Sequence, residues 1–185
     1  KHDIQESAEL SSLGDNLCAS CHESESNAFS KSIHFSEIKS DGTKINCIDC
    51  HGESTHTITS GDFSKKELHN SCSKCHEETV SNFEKSLHGL AYLKNKFLAP
   101  SCITCHGVHK IQTNTNPNSK TFKMNIPQLC GDCHKDGTKV SELKYVDKKN
   151  VLENYSQSIH GDGLFKRGLI VTAVCTDCHA SHNIL

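Results

Sequence analysis

One five-residue pattern, two cysteines two residues apart followed at once by histidine, occurs six times in this chain. It reads CASCH at Cys18–His22, CIDCH at Cys47–His51 and CSKCH at Cys72–His76. The later copies are CITCH at Cys102–His106, CGDCH at Cys130–His134 and CTDCH at Cys175–His179. All twelve cysteines, Cys18, Cys21, Cys47, Cys50, Cys72, Cys75, Cys102, Cys105, Cys130, Cys133, Cys175 and Cys178, fall inside the pattern, so none is left for a disulfide. Cys-x-x-Cys-His is the attachment signature of a c-type haem. Two thiols form thioethers with the haem vinyl groups, and the adjacent imidazole (His22, His51, His76, His106, His134 or His179) turns onto the iron. Four-cysteine zinc sites or thioredoxin-like redox pairs would account for the cysteines alone. They do not account for the histidines. Histidine is 14 of 185 residues, too few to follow every pair by chance.

The motif sits in a larger repeat. After Cys18–His22 comes AFSKSIHF, with His34; after Cys72–His76 comes NFEKSLHG, with His88; after Cys130–His134 comes NYSQSIHG, with His160. Each is an aromatic residue, two others, serine, an apolar residue and histidine. A second Cys-x-x-Cys-His follows, then a trailing histidine: His56, His109 or His182. Three dihaem repeats therefore cover about 18–56, 72–109 and 130–182. They are expected to form one multihaem domain over residues 1–185. The third repeat carries a charged insertion, KDGTKVSELKYVDKKN, between its first motif and His160. Phe29 and Ile33, Phe83 and Leu87, and Tyr155 and Ile159 are each four apart, which predicts short helices over about 24–34, 77–95 and 148–159. Ser24 is the expected N-cap of the first. Most of the rest, including the Asn/Thr/Pro-rich 111–128, reads as irregular, with little or no β structure.

Composition agrees. Apolar residues are 34% and tryptophan is absent, too little for the side chains to offset their own ordering entropy. Six covalent haem c groups would supply the missing apolar surface, so the expected fold is mostly irregular chain with short α-helices, wrapped around a haem stack. Formal charge is −2, and propionates and ferric centres would take the oxidised holoprotein to about −8. Nineteen lysines against one arginine, Arg167, suit propionate partners and solubility. Nothing points to nucleic acid. No apolar run is long enough to cross a membrane, and covalent haem is assembled outside the cytoplasmic membrane. A periplasmic or extracellular protein, its leader removed, is expected.

Six irons would need six further ligands, and eight histidines remain. The repeat nominates His34, His56, His88, His109, His160 and His182. His56 lies five rather than three residues past its motif, and His69, just before Cys72, is its rival. His2 is left as a terminal bystander, or as a ligand donated to a neighbouring molecule. Met124 is assigned to packing. His109 and His182 each lie three residues beyond a motif histidine, a span of at most about 10 Å, too short to round a porphyrin edge. Each must serve a different haem. Histidine on both faces, without methionine, implies low potentials.

His22–Glu23, Phe29–His34, His51–Gly52, His76–Glu77, Phe83–Gly89, His106–His109, Tyr155–Gly161 and His179–His182 resemble elements of the periplasmic decahaem cytochromes that feed outer-membrane conduits and dimethyl sulfoxide respiration. They are similar also to the pentahaem donor of periplasmic nitrite reductase and, more loosely, to class III multihaem cytochromes. A second resemblance is to multihaem cytochromes that polymerise into extracellular filaments. These resemblances imply an electron carrier rather than an enzyme, working with redox partner proteins or assembling head to tail. The competing expectation is a multihaem reductase with one open haem. Such reductases often use Cys-x-x-Cys-Lys, which this chain lacks. Six motifs predict an intact mass above the 20.4 kDa polypeptide by six haems, none extractable with acid-acetone; fewer than six would contradict the reading.

Overall fold

The computed structural model describes residues 18–52, 65–94, 96, 98–143 and 150–184. Short α-helices joined by irregular chain make up these residues, and no strand or sheet is found among them. One isolated bridge, Ile38 with Lys44, is the sole β feature described. The helices are α1 (Glu23–Phe29), α2 (Ile33–Ser36), α3 (Cys47–His51), α4 (Lys65–Ser73), α5 (Glu77–Lys85) and α6 (Leu87–Leu93). They continue with α7 (Cys102–His106), α8 (Ile126–His134), α9 (Val151–Ser156), α10 (Ile159–Gly161) and α11 (Cys175–His179).

The three aromatic-x-x-Ser elements form one recurrent turn rather than the continuous helices expected from spacing. The serine amide bonds back to the aromatic carbonyl: Ser32 to Phe29 at 2.8 Å, Ser86 to Phe83 at 2.9 Å and Ser158 to Tyr155 at 3.0 Å. The serine itself is extended and caps the next helix. Its hydroxyl accepts from the amide of His34, Gly89 or Gly161. A serine side chain competes well for nearby backbone groups, which disfavours it inside a helix and favours it at a cap. The chain thus breaks between α1 and α2, α5 and α6, and α9 and α10, and the histidine is carried on the first turn of the second helix. Nor does Ser24 cap α1. That helix starts at Glu23, its cap position is His22 with no side-chain cap bond, and Ser24 lies within it.

Glycine after the histidine lets this turn close. A Cβ at Gly89 would sit 1.8 Å from the Phe83 carbonyl oxygen, and one at Gly161 would sit 2.1 Å from that of Tyr155. The first repeat has Phe35 instead, whose ring meets Phe29 edge-on at 5.7 Å.

Contacts gather the chain into two compact units. One comprises residues up to Val80 with Gly107–Gln112; the other comprises Ser81–His106 and the residues from Thr113 on. Each holds three of the six motifs. Five large apolar side chains are buried among the described residues: Val80, Tyr92, Ile126, Leu164 and Val174. In the second unit Ile126, Leu164 and Val174 pack with Leu129, Tyr155 and the first cysteines of two motifs, Cys130 and Cys175. Met124 lies outside that cluster, 36% exposed.

The residue after the second motif of each repeat has positive φ: Gly52 and Gly107 at 79°, and Ala180 at 61°. With ψ near 180° at Gly52 and Ala180, this is a region that essentially only glycine occupies without strain. Ala180→Gly should therefore stabilise the protein by about 1 kcal/mol, seen as a raised thermal midpoint. Gly107→Ala should lower it. An unchanged or lowered midpoint for Ala180→Gly would contradict this backbone assignment.

Candidate haem-binding site

Each motif is wound as one helical turn, which puts positions i, i+3 and i+4 on a common face. Both thiols and the imidazole therefore project together. In the first motifs of the repeats, the turn is closed by the histidine amide on the first cysteine's carbonyl, 2.8 Å for His22 to Cys18 and 3.0 Å for His76 to Cys72. The third, Cys130–His134, forms the last turn of α8.

The second motifs each open a helix, and the residue between the cysteines caps it. Asp49 accepts the Asn46 amide at 2.8 Å, Thr104 the Ser101 amide at 3.0 Å, and Asp177 the Val174 amide at 2.8 Å. Asn46 returns the bond to Asp49, a reciprocal capping box. Lysines lie on both aspartates, Lys39 2.8 Å from Asp49 and Lys123 3.1 Å from Asp177. The Val174 amide and then Lys123 hold the Asp177 carboxyl below its usual range. These capping residues did not figure among the sites expected from sequence. Their signal was present: a side chain able to accept at the same position of each second motif.

Opposite four of the six motif histidines stands another imidazole. In the first unit, the ring of His34 lies 6.1 Å from that of His76, and His109 lies 5.9 Å from His51. In the second, His88 lies 6.0 Å from His134, and His182 lies 5.9 Å from His106. A metal–nitrogen bond is about 2 Å, and each ring centre lies about 1 Å behind its nitrogen, so two imidazoles on one iron stand roughly 6 Å apart. The pairs have that separation. Burial holds His34, His51, His88 and His134 below the usual histidine range, and the facing ring adds to this for His34, His51 and His88. The neutral imidazole that results is the form that binds a metal.

The pairing is crossed. The Ser-apolar-His turns of the first two repeats face the first motif of the following repeat, and the trailing histidines of the last two face the second motif of the preceding one. Backbone bonds clamp the crossing. The Ile33 amide donates to the Ile111 carbonyl, two residues past His109, and the Leu87 amide to that of Ile184, two residues past His182, both at 2.8 Å. The Ser32 hydroxyl also donates to the Ile111 carbonyl. This clamp too was missed in the sequence, although His-x-Ile recurs at 109–111 and 182–184.

Neighbouring motifs also touch. In the first unit the Ser71 hydroxyl and the Lys74 ammonium donate to the carbonyls of Cys50 and Asp49. In the second, the thiol of Cys130 donates to that of Cys175, which draws Cys175 down to about 7 and holds Cys130 high. All twelve cysteines are free, and none is fully buried. Among the described residues no three His, Cys, Asp or Glu side chains converge as they would on a bare metal ion. Paired axial nitrogens beside two accessible thiols fit haem, and the small apolar core leaves surface for it to cover.

A family model described as a doubled CXXCH motif matches residues 95–139, which hold the motifs at Cys102–His106 and Cys130–His134. Over that stretch, about a quarter of the chain, the protein resembles multihaem c-type cytochromes. Cys-x-x-Cys-His motifs of this kind hold haem c covalently, chemistry that goes with electron transfer. No curated protein and no solved structure is significantly similar to it. No helix among the described residues is long and apolar enough to cross a membrane.

Of the remaining expected ligands, His2 and His56 lie outside the described residues. His69 lies on α4, one helical turn before Cys72. His22, His160 and His179 are described, and no imidazole among the described residues faces them. The crossed pairing gives a sharp expectation. His34→Ala should convert one haem to high spin, and it should be the haem on Cys72–Cys75, separable as its own haem peptide after binding a label to the open iron. Loss at the haem on Cys18–Cys21, in the mutated histidine's own repeat, would contradict the crossing.

Proposed function

We propose that the protein is an electron carrier holding six haem c groups, one on each motif, with histidine on both faces of each iron. The observation that carries this is the set of four imidazole pairs at one common separation, each containing a motif histidine. Haem iron bound there supplies reversible one-electron chemistry. The polypeptide fixes each group by two thioethers, fills both axial positions, and so leaves a substrate no place to bind. His34, His88, His109, His160 and His182 are the second axial ligands, and either His56 or His69 completes the set. Bis-histidine ligation places the potentials low. Covalent haem attachment puts the working compartment outside the cytoplasmic membrane, in the periplasm or beyond the cell. The partners are redox proteins that meet surface haems, or further copies of the same chain joined head to tail.

A second reading has its own observation. His22 and His179 face no imidazole among the described residues, and a five-coordinate haem at either would be a reductase site. The two readings part on ligand binding. The carrier should show only low-spin haem when fully assembled, with reduced protein that takes up little carbon monoxide. One carbon-monoxide-binding haem in six, persisting at high protein concentration, would favour the reductase.

A further inference from the structure

Two imidazole pairs lie wholly inside each compact unit. In the first they are His51 with His109 and His34 with His76; in the second they are His106 with His182 and His88 with His134. The division between units cuts the second repeat. Its first motif, Cys72–His76, and its trailing His109 belong to one unit, while His88 and its second motif, Cys102–His106, belong to the other. The two pairs that share a unit therefore sit on motifs of different repeats: a second motif, and the first motif of the repeat after it.

In each unit the two pairs are tied at their distal ends. Ile33, the residue before His34, donates its amide to the carbonyl of Ile111, two residues past His109. Leu87, before His88, donates in the same way to Ile184, two residues past His182. Both donors open a helix, and each follows a buried capping serine, Ser32 or Ser86. The motif ends meet as well. The Ser71 hydroxyl reaches the Cys50 carbonyl at 2.7 Å and the Lys74 ammonium reaches the Asp49 carbonyl at 2.9 Å, which joins the motif at Cys47–His51 to that at Cys72–His76. In the second unit burial, and then the Cys133 thiol close by, hold the Cys105 thiol up. The line through one imidazole pair is thus held beside the line through the other, motif end by motif end and distal end by distal end.

We propose that each clamp is a positioning element: it locks the haem on a second motif and the haem on the next repeat's first motif into one rigid couple, so that the haems set for close electron exchange straddle the repeat boundaries. Resting on the six-haem carrier reading, this couples the haem on Cys47 and Cys50 with that on Cys72 and Cys75. It likewise couples the haem on Cys102 and Cys105 with that on Cys130 and Cys133. Ile33 and Leu87 are the positioning residues, acting through their amides on the segments that carry two different axial ligands. The second repeat supplies one member to each couple rather than a couple of its own.

The test is Soret circular dichroism of the oxidised holoprotein, in which two haems fixed at close range give a couplet of opposite-signed bands. Ile33→Pro removes the donor of the first clamp and Leu87→Pro that of the second. Each residue is the first of its helix, where proline is tolerated, and Ser32 and Ser86 already have the extended conformation that precedes proline. Each variant should keep six covalent low-spin haems and lose part of the couplet, and the double variant should lose the sum of the two parts. A milder comparison uses the serines. Both cap a helix, but only Ser32 gives its hydroxyl to the clamp carbonyl, whereas Ser86 gives its own to Phe83. Ser32→Ala should therefore weaken the couplet, Ser32→Thr should preserve it, and Ser86→Ala should leave it as in wild type. No couplet in wild type, or one unchanged in the double proline variant, would overturn the couples while leaving the carrier reading intact. So would a haem turned high-spin by Ile33→Pro or Leu87→Pro, since the clamp would then support ligation alone. Fewer than six covalent haems in wild type would instead sink the carrier reading.

Discussion

The structure depends on imidazoles that face each other across about the width of one coordinated iron. Everything else in the chain serves to deliver two such rings from distant sequence. The motif turn fixes one ring beside its two thiols. The serine-capped turn, or the short segment after a second motif, brings the other from a neighbouring repeat. Metal coordination would make that pairing part of the folding energy, since the geometry does not exist in the unfolded chain. With five large apolar side chains buried among the described residues, the polypeptide supplies only a small core of its own. Haem groups on the motifs would then provide both cross-links and apolar interior.

Crossing has a consequence for how the protein is divided. A sequence repeat is not a self-sufficient unit here, because the middle repeat turns His88 toward the repeat after it and His109 toward the repeat before it. The compact units cut across the repeats accordingly: residues 107–112, trailing the second repeat, join the first unit, where His109 faces His51 and Ile111 holds Ile33. The same interleaving gives the chain its direction: paired turns look forward one repeat and paired trailing histidines look back one.

Much of this was legible from residues alone. The six motifs, the three-fold repeat and the facing histidines His34, His88, His109 and His182 followed from spacing, whereas His160 faces no imidazole among the described residues and His56 lies outside them. That His109 and His182 would face a histidine other than that of their own motif followed from chain length. Which motif histidines they face did not, since that depends on how repeats dock, a long-range matter that no local spacing encodes. The three helices expected over 24–34, 77–95 and 148–159 were placed correctly but drawn too long, and those over Lys65–Ser73, Ile126–His134 and the second motifs were not expected. Phe29 and Ile33 share a helical spacing, yet Ser32 uses its hydroxyl and amide to end one helix and cap the next, so a local hydrogen-bonding preference overrode the apolar period. Ala180 shows the converse: a glycine-like backbone position, marked by Gly52 and Gly107 in the other repeats, held by a residue that strains to adopt it.

The most direct test of the crossed arrangement is the position of the irons themselves, located by anomalous scattering in crystals of the holoprotein. Four of them should lie midway between His34 and His76, His51 and His109, His88 and His134, and His106 and His182. Irons at Cys47–Cys50 or Cys72–Cys75 whose two axial histidines come from one sequence repeat would contradict the account.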